Sequence, residues 1–168
     1  MDLDAYCRLI GYDGPRRATP YALRVVAYAH ATTIPFENLS VLATGAPDLA
    51  LDAVVDKLVH RGRGGYCFEH NRLLLAALEA FGFHAVPLSA RVRYAVARDV
   101  PTPRSHMVLA VSCAGRRWLA DAGFGRLTLT AQVDLDAADA QRTPHEDVRL
   151  VPHDGATLLQ FAIGGEWR

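Results

Sequence analysis

The sequence predicts an α+β fold on three observations. Apolar residues recur at helical spacing up to about Phe83, the period switches to two beyond Gly82, and short Gly-containing turns separate the alternating runs. The helical part opens with Asp2 to Ile10, an amphipathic piece ending at Gly11. Thr19 then serves as an N-cap with Pro20 at the first helical position, and the helix carries Leu23, Val26 and Ala27 on one side until Ile34-Pro35 stops it. Asp52 begins a third helix with Val54, Val55, Leu58 and Val59 inward. It closes on Lys57, His60 and Arg61, where positive charge suits the negative end of the dipole. A fourth follows Gly64-Gly65, with Leu74, Leu78 and Phe81 at helical spacing and Gly82 at its end.

Beyond Gly82, Val86, Leu88, Ala90, Val92 and Tyr94 alternate with Pro87, Ser89, Arg91 and Arg93 and predict a half-buried strand. After a Pro-containing loop, Val100 to Arg104, the segments His106 to Cys113 and Arg116 to Ala122 form a hairpin through Ala114-Gly115. Val148 to Val151 and Thr157 to Ile163 form another around His153-Asp154-Gly155. The chain divides into a helical domain, 1–83, and an antiparallel β domain, 84–168.

Composition narrows the function. The 168 residues carry 18 basic and 18 acidic side chains, and a formal charge of zero argues against a nucleic-acid binder. No apolar run reaches the length of a membrane span, and Met1-Asp2-Leu3-Asp4 carries no secretory or import signal, so a cytoplasmic protein is expected. Cys7, Cys67 and Cys113 are too few and too scattered for a disulfide framework and are expected as free thiols.

The most informative segment runs from Arg61 to His70. Glycines 62, 64 and 65 permit a tight turn, and Cys67 then falls at a helix start, where unpaired backbone N–H groups and the positive dipole end favour a thiolate. A small buried apolar cysteine answers to the same position. A nucleophilic cysteine needs a base, and the base an orienting partner. In a hairpin symmetric about Ala114-Gly115, paired residue numbers sum to 229, so Asp121 faces Val108 and shares a face with His106, two residues away. An odd-numbered loop would separate them, and plain roles remain open: a turn for Asp121, a core position for His106. Cys67 and His70 have C-x-x-H spacing, but no second pair has zinc-like spacing, so no metal is expected. Gly62-x-Gly64 lacks the strand and third glycine of a dinucleotide fingerprint.

Four ordered motifs resemble those of the arylamine N-acetyltransferases: Ile34-Pro35-Phe36-Glu37-Asn38-Leu39, Arg61-Gly62-Arg63-Gly64-Gly65-Tyr66-Cys67, Ser105-His106-Met107 and Asp121-Ala122-Gly123-Phe124-Gly125. The resemblance implies a helical bundle followed by a β-barrel-like domain, with a cysteine-protease-like triad in which Cys67 accepts the acyl group, His106 is its base and Asp121 fixes the imidazole. It also implies acetyl-coenzyme A as acyl donor and a small arylamine, arylhydrazine or hydrazide as acceptor, in a pocket that includes Phe36, Val92 and Phe124. Glu37 and Arg63 resemble an ion pair bracing the active-site turn, and Gly64, Gly65, Gly123 and Gly125 supporting positions. An amide synthase on the same scaffold, a thiol hydrolase and an inactive paralogue are the alternatives. Family members continue into a third α/β domain absent from these residues, so the β domain is expected to be incomplete and prone to self-association.

Overall fold

Capping chemistry sets the first two helices. In the computed structural model, which describes residues 1–97 and 100–168, Asp2 accepts the Ala5 N–H at 2.9 Å to open α1 (Leu3–Ile10), and Gly11 closes it at φ 68°. Thr19 accepts the Ala22 N–H at 3.1 Å to open α2 (Pro20–Thr33), and Ile34-Pro35 ends it as predicted. A six-residue helix, α3 (Leu39–Thr44), is unanticipated: its Asn38 N-cap makes no capping side-chain hydrogen bond, and it lacks an apolar stripe long enough to read. The third predicted helix is α4 (Leu51–Val55) running into a π-helical turn, Asp56–His60, which puts Lys57 in the interior rather than at an exposed helix end. The last helix, α5 (Cys67–Ala80), is buried along most of its length.

Four antiparallel strands follow in the order β1 (His84–Ala90), β2 (His106–Cys113), β3 (Arg116–Ala120) and β4 (Val133–Asp134). The β2–β3 turn has positive φ at Ala114 and Gly115, the backbone of a tight two-residue hairpin. Its register, Leu109 opposite Ala120 and Cys113 opposite Arg116, is symmetric about that pair. β1 departs from expectation. It stops at Ala90, and Val86 and Leu88 are 42% and 43% exposed on an edge strand where Pro87 is tolerated. Beyond it the chain folds on itself, with the Arg93 guanidinium donating to the carbonyls of Val100 and Ala97 at 3.0 Å each, so Val92 and Tyr94 leave the ladder.

The second sheet is β5 (Val148–His153), β6 (Ala156–Ile163) and β7 (Glu166–Trp167), the first two turning through Asp154 and Gly155 as predicted. β4 and β7, at two residues each, are too short to show alternation in sequence.

Among the described residues, two cores hold the fold together. The larger joins Tyr6, Leu23, Val54, Leu58 and Leu74 of the helical part to Leu109, Val111 and Ala120 of β2 and β3. The smaller takes Leu119 and Val133 from one sheet and Val148 and Phe161 from the other. The result is a mixed fold of helices and antiparallel sheets. Among the described residues the expected barrel does not close, because the strands form two open sheets. Trp118 packs at the margin of the larger core with Arg116 over its ring. No helix among the described residues is long and apolar enough to cross a membrane.

Candidate active site

The turn before α5 is built on close backbone approach. Gly65 donates to the Pro35 carbonyl at 3.2 Å and accepts from the Glu37 N–H at 2.7 Å, so the Pro35–Glu37 segment lies along the turn as a short parallel bridge. A Cβ on Gly64 would collide with the Pro35 carbonyl oxygen, which explains the glycine there. Arg63 and Glu37 form an ion pair across this junction, and the guanidinium holds the Glu37 carboxyl below its usual range.

Beneath the turn lies a second pair that sequence alone leaves unread. Lys57 Nζ donates to both carboxylate oxygens of Glu69, at 2.8 and 3.0 Å, and both side chains are almost wholly buried. Glu69 Oε2 also accepts the Tyr66 N–H at 3.0 Å, so this carboxylate caps the helix that begins with Cys67.

Cys67 is partly exposed at the first turn of α5, with Sγ 3.8 Å from the Ser105 carbonyl oxygen. The other two thiols, Cys7 and Cys113, are free and buried, and burial pushes both pKa values up. Gly123 lies so near that a Cβ there would stand 2.8 Å from the Cys67 Cα.

His106 is the first residue of β2, and Asp121 directly follows β3 at the same end of the hairpin. Their side chains meet, with His106 Nε2 2.6 Å from Asp121 Oδ2. His106 and Cys67 line the same pocket. Burial pulls the His106 pKa down, but hydrogen bonds to Asp121 and Cys67 and the charges of both outweigh it and raise it to about 9.

Asn71, fully buried on α5, organises the carboxylate from behind. Its Nδ2 donates to Asp121 Oδ1 at 2.9 Å and to the Met107 carbonyl at 2.7 Å, while its Oδ1 accepts the Ala122 N–H at 3.1 Å. Gly123 N–H donates to Asp121 Oδ1 as well, at 2.9 Å. Asn71 stands four residues after Cys67, one helical turn on, and a polar side chain there just before an apolar run is the signal that could have found it.

Cys67, His106 and Gly123 border a pocket of about 220 Å³. Phe36, Val92 and Phe124 line it, together with Tyr94 and Ser105, which the sequence did not single out. Phe124 stands edge-on to the His106 ring with centroids 5.3 Å apart. Gly125, at φ 90°, lies against the Phe36 ring, where a Cβ would come within 3.1 Å of Cγ. His70 does not join Cys67 in a ligand set, since its two ring nitrogens are taken by His30 and the Pro35 carbonyl.

Residues 21–168 match the N-acetyltransferase family model. The chain is 44% identical to the arylamine N-acetyltransferase of Mycolicibacterium smegmatis over all of its own length and 62% of that relative's. It superposes on the solved arylamine N-acetyltransferase of M. tuberculosis with a TM-score of 0.94 at 38% identity, covering 99% of this chain and 63% of that one. The Mycobacterium marinum enzyme in complex with CoA gives 0.93 at 39% identity, with 99% and 62% covered. The chain therefore spans about three fifths of the length of these relatives. Matched by the family model over most of its residues and by these enzymes over nearly all of them, the chain belongs to the arylamine N-acetyltransferase family.

Proposed function

We propose that this chain carries the acyl-transfer centre of an arylamine N-acetyltransferase, with Cys67 as nucleophile, His106 as general base and acid, and Asp121 as the group that orients the imidazole. The observation that carries the reading is the 2.6 Å contact of His106 with Asp121 at a pocket that His106 and Cys67 line together with the aromatic rings of Phe36 and Phe124. The Cys67 thiolate attacks the acetyl carbonyl of acetyl-coenzyme A, the new carbon–sulfur bond forms, and coenzyme A leaves as a thiol with the proton that His106 held. An arylamine, arylhydrazine or hydrazide nitrogen then attacks the acetyl-Cys67 carbonyl. His106 takes the nitrogen's proton and returns it to the departing Cys67 sulfur. The Cys67 N–H, in the first turn of α5 and without an intrahelical acceptor, is a donor for the developing oxyanion.

The pocket dimensions suit this acceptor class. A cavity of about 150 Å³ holds benzene, so about 220 Å³ beside Cys67 holds one arene with a small substituent. Phe36, Val92 and Phe124 supply its flat apolar walls.

The division of labour follows the chain. Residues 1–83 present the nucleophile and 84–168 present His106 and Asp121, although the larger core runs through both parts. Two open sheets around the smaller core stand for the barrel-like domain. The exposed apolar residues of edge strand β1 are the basis for proposing self-association, and a cytoplasmic location is proposed with it.

Intact mass spectrometry after mixing the chain with acetyl-coenzyme A is the test. One acetyl group gained, lost in the Cys67→Ala variant and discharged as an N-acetyl product by an arylamine, supports the transferase. A folded chain that gains no acetyl group and releases no coenzyme A refutes it, and acetyl loss independent of amine identifies a hydrolase instead.

A further inference from the structure

A line of buried polar side chains runs from the helical core to the pocket wall, and the proposed chemistry uses none of them. Tyr6 Oη lies 2.9 Å from His30 Nδ1, His30 Nε2 lies 3.1 Å from His70 Nδ1, and His70 Nε2 lies 3.2 Å from the Pro35 carbonyl oxygen. Tyr6, His30 and His70 are each at most 1% exposed.

The far end fixes the direction of every bond. A carbonyl oxygen only accepts, so His70 Nε2 carries a hydrogen and donates it to Pro35. In the neutral ring Nδ1 is then bare and must accept, which requires a hydrogen on His30 Nε2. His30 Nδ1 is bare in turn and accepts from the Tyr6 hydroxyl. All three contacts are satisfied with both rings neutral and in the same tautomer. A proton added to His70 would set two N–H groups against each other, and burial holds the pKa values of both histidines below the ordinary range.

What the chain holds is the wall of the pocket. The Pro35 carbonyl receives His70 Nε2–H and the Gly65 N–H together, and the next residue is Phe36. The Phe36 ring lies nearly parallel to the His70 ring, 8° apart with centroids at 6.4 Å, and is 45% exposed at the pocket. We infer that His70 and His30 are positioning residues for the arylamine subsite: their one-directional hydrogen-bond chain from Tyr6 seats the Pro35–Phe36 segment on the Cys67 turn and thereby sets the aromatic wall.

This inference rests on the proposed transfer, so the tests are chosen to fail separately. The first needs no turnover. Nitrogen-15 NMR of the full chain at pH 7 is expected to show both rings as neutral Nε2–H tautomers; an Nδ1–H tautomer or an imidazolium in either ring would overturn the directed chain. The second compares His70→Leu, which cannot donate, with His70→Gln, which keeps a donor near the Nε2 position. The Phe36 ring resonances should move in the leucine variant and stay near the parent's in the glutamine variant. Steady-state rates should show the KM for a one-ring arylamine rising about tenfold in the leucine variant, about the worth of one hydrogen bond. In that variant kcat stays within about threefold, and glutamine recovers most of the KM. Unmoved Phe36 resonances in folded His70→Leu, an unchanged KM, or no recovery by glutamine would refute the positioning role. Absence of acetyl-Cys67 in the unaltered chain would count against the transferase reading instead, leaving this inference to the tautomer and Phe36 measurements.

Discussion

Removing the amide of Asn71 should cost a large share of the chain's stability. Asn71→Ala deletes a charge-assisted bond to Asp121, worth about 1.5–3 kcal/mol, and two neutral bonds, to the Met107 carbonyl and the Ala122 N–H, worth about 1 kcal/mol each. Asn71 is wholly buried, so the orphaned partners have no ready access to water and their desolvation stays uncompensated. The expected loss is about 3–5 kcal/mol, a large share of the roughly 5–15 kcal/mol by which domains are stable. For a chain of this size that lowers Tm by about 10–15 °C. Urea and thermal unfolding measure it directly. Asn71→Leu restores the volume without the hydrogen bonds and should lose nearly as much, which separates bonding from cavity formation. Cys67 alkylation should also slow in both variants, because Asp121 keeps only the Gly123 N–H to hold it against His106. A loss under about 1 kcal/mol, or a leucine variant as stable as the parent, would refute the account.

Three further outcomes are expected. The His106 pKa is raised from 6.5 to about 9, so its contribution to stability is complete below about pH 6.5 and is lost as pH rises through about 9. The His30 and His70 values are lowered by burial, which on His70 outweighs the hydrogen bond to Pro35 and the charges of Glu69 and Asp121, so their contribution is complete above about pH 6.5 and is lost on acidification. Urea unfolding from pH 5 to 9 should therefore peak near neutrality, with the alkaline limb flattened in His106→Gln; a curve rising throughout would contradict this. Gly123→Ala puts a Cβ 2.8 Å from the Cys67 Cα and 3.0 Å from its carbonyl oxygen, and the displaced nucleophile should be acetylated about 100-fold more slowly; a loss under tenfold would show that the backbone yields freely. Lys57→Met strands the Glu69 carboxylate in the interior and should destabilise by about 3–5 kcal/mol, most of it recovered by adding Glu69→Gln, whereas a cost under 1 kcal/mol would mean that the pair is not needed.

Local signals carried much of the fold. The caps at Asp2 and Thr19, the proline stop at Pro35 and the two-residue turn at Ala114-Gly115 act over three or four residues, and each was readable in sequence. Hairpin symmetry puts His106 and Asp121 on one face of the sheet, where their side chains meet. What escaped depends on distant partners. Lys57 looked like a helix-end charge because nothing nearby in sequence shows that Glu69 waits for it in the interior. Alternation predicts a half-buried strand, but Val86 and Leu88 are exposed, because alternation identifies two faces of a strand without saying whether either is covered. The His30–His70 contact joins residues forty positions apart, and no periodicity records it.

Within little more than one turn of α5, Cys67, Glu69, His70 and Asn71 each engage a different part of the molecule: the pocket, Lys57, the Pro35 segment and the Asp121 turn. Each residue along a helix rotates the side chain by about 100°. Deleting or inserting one residue between Gly64 and Cys67 would therefore misdirect all four at once, aiming a carboxylate or an imidazole where a thiol belongs. Homologous chains should show no change of length at this spot, which makes α5 the index mark against which the rest of the site is aligned.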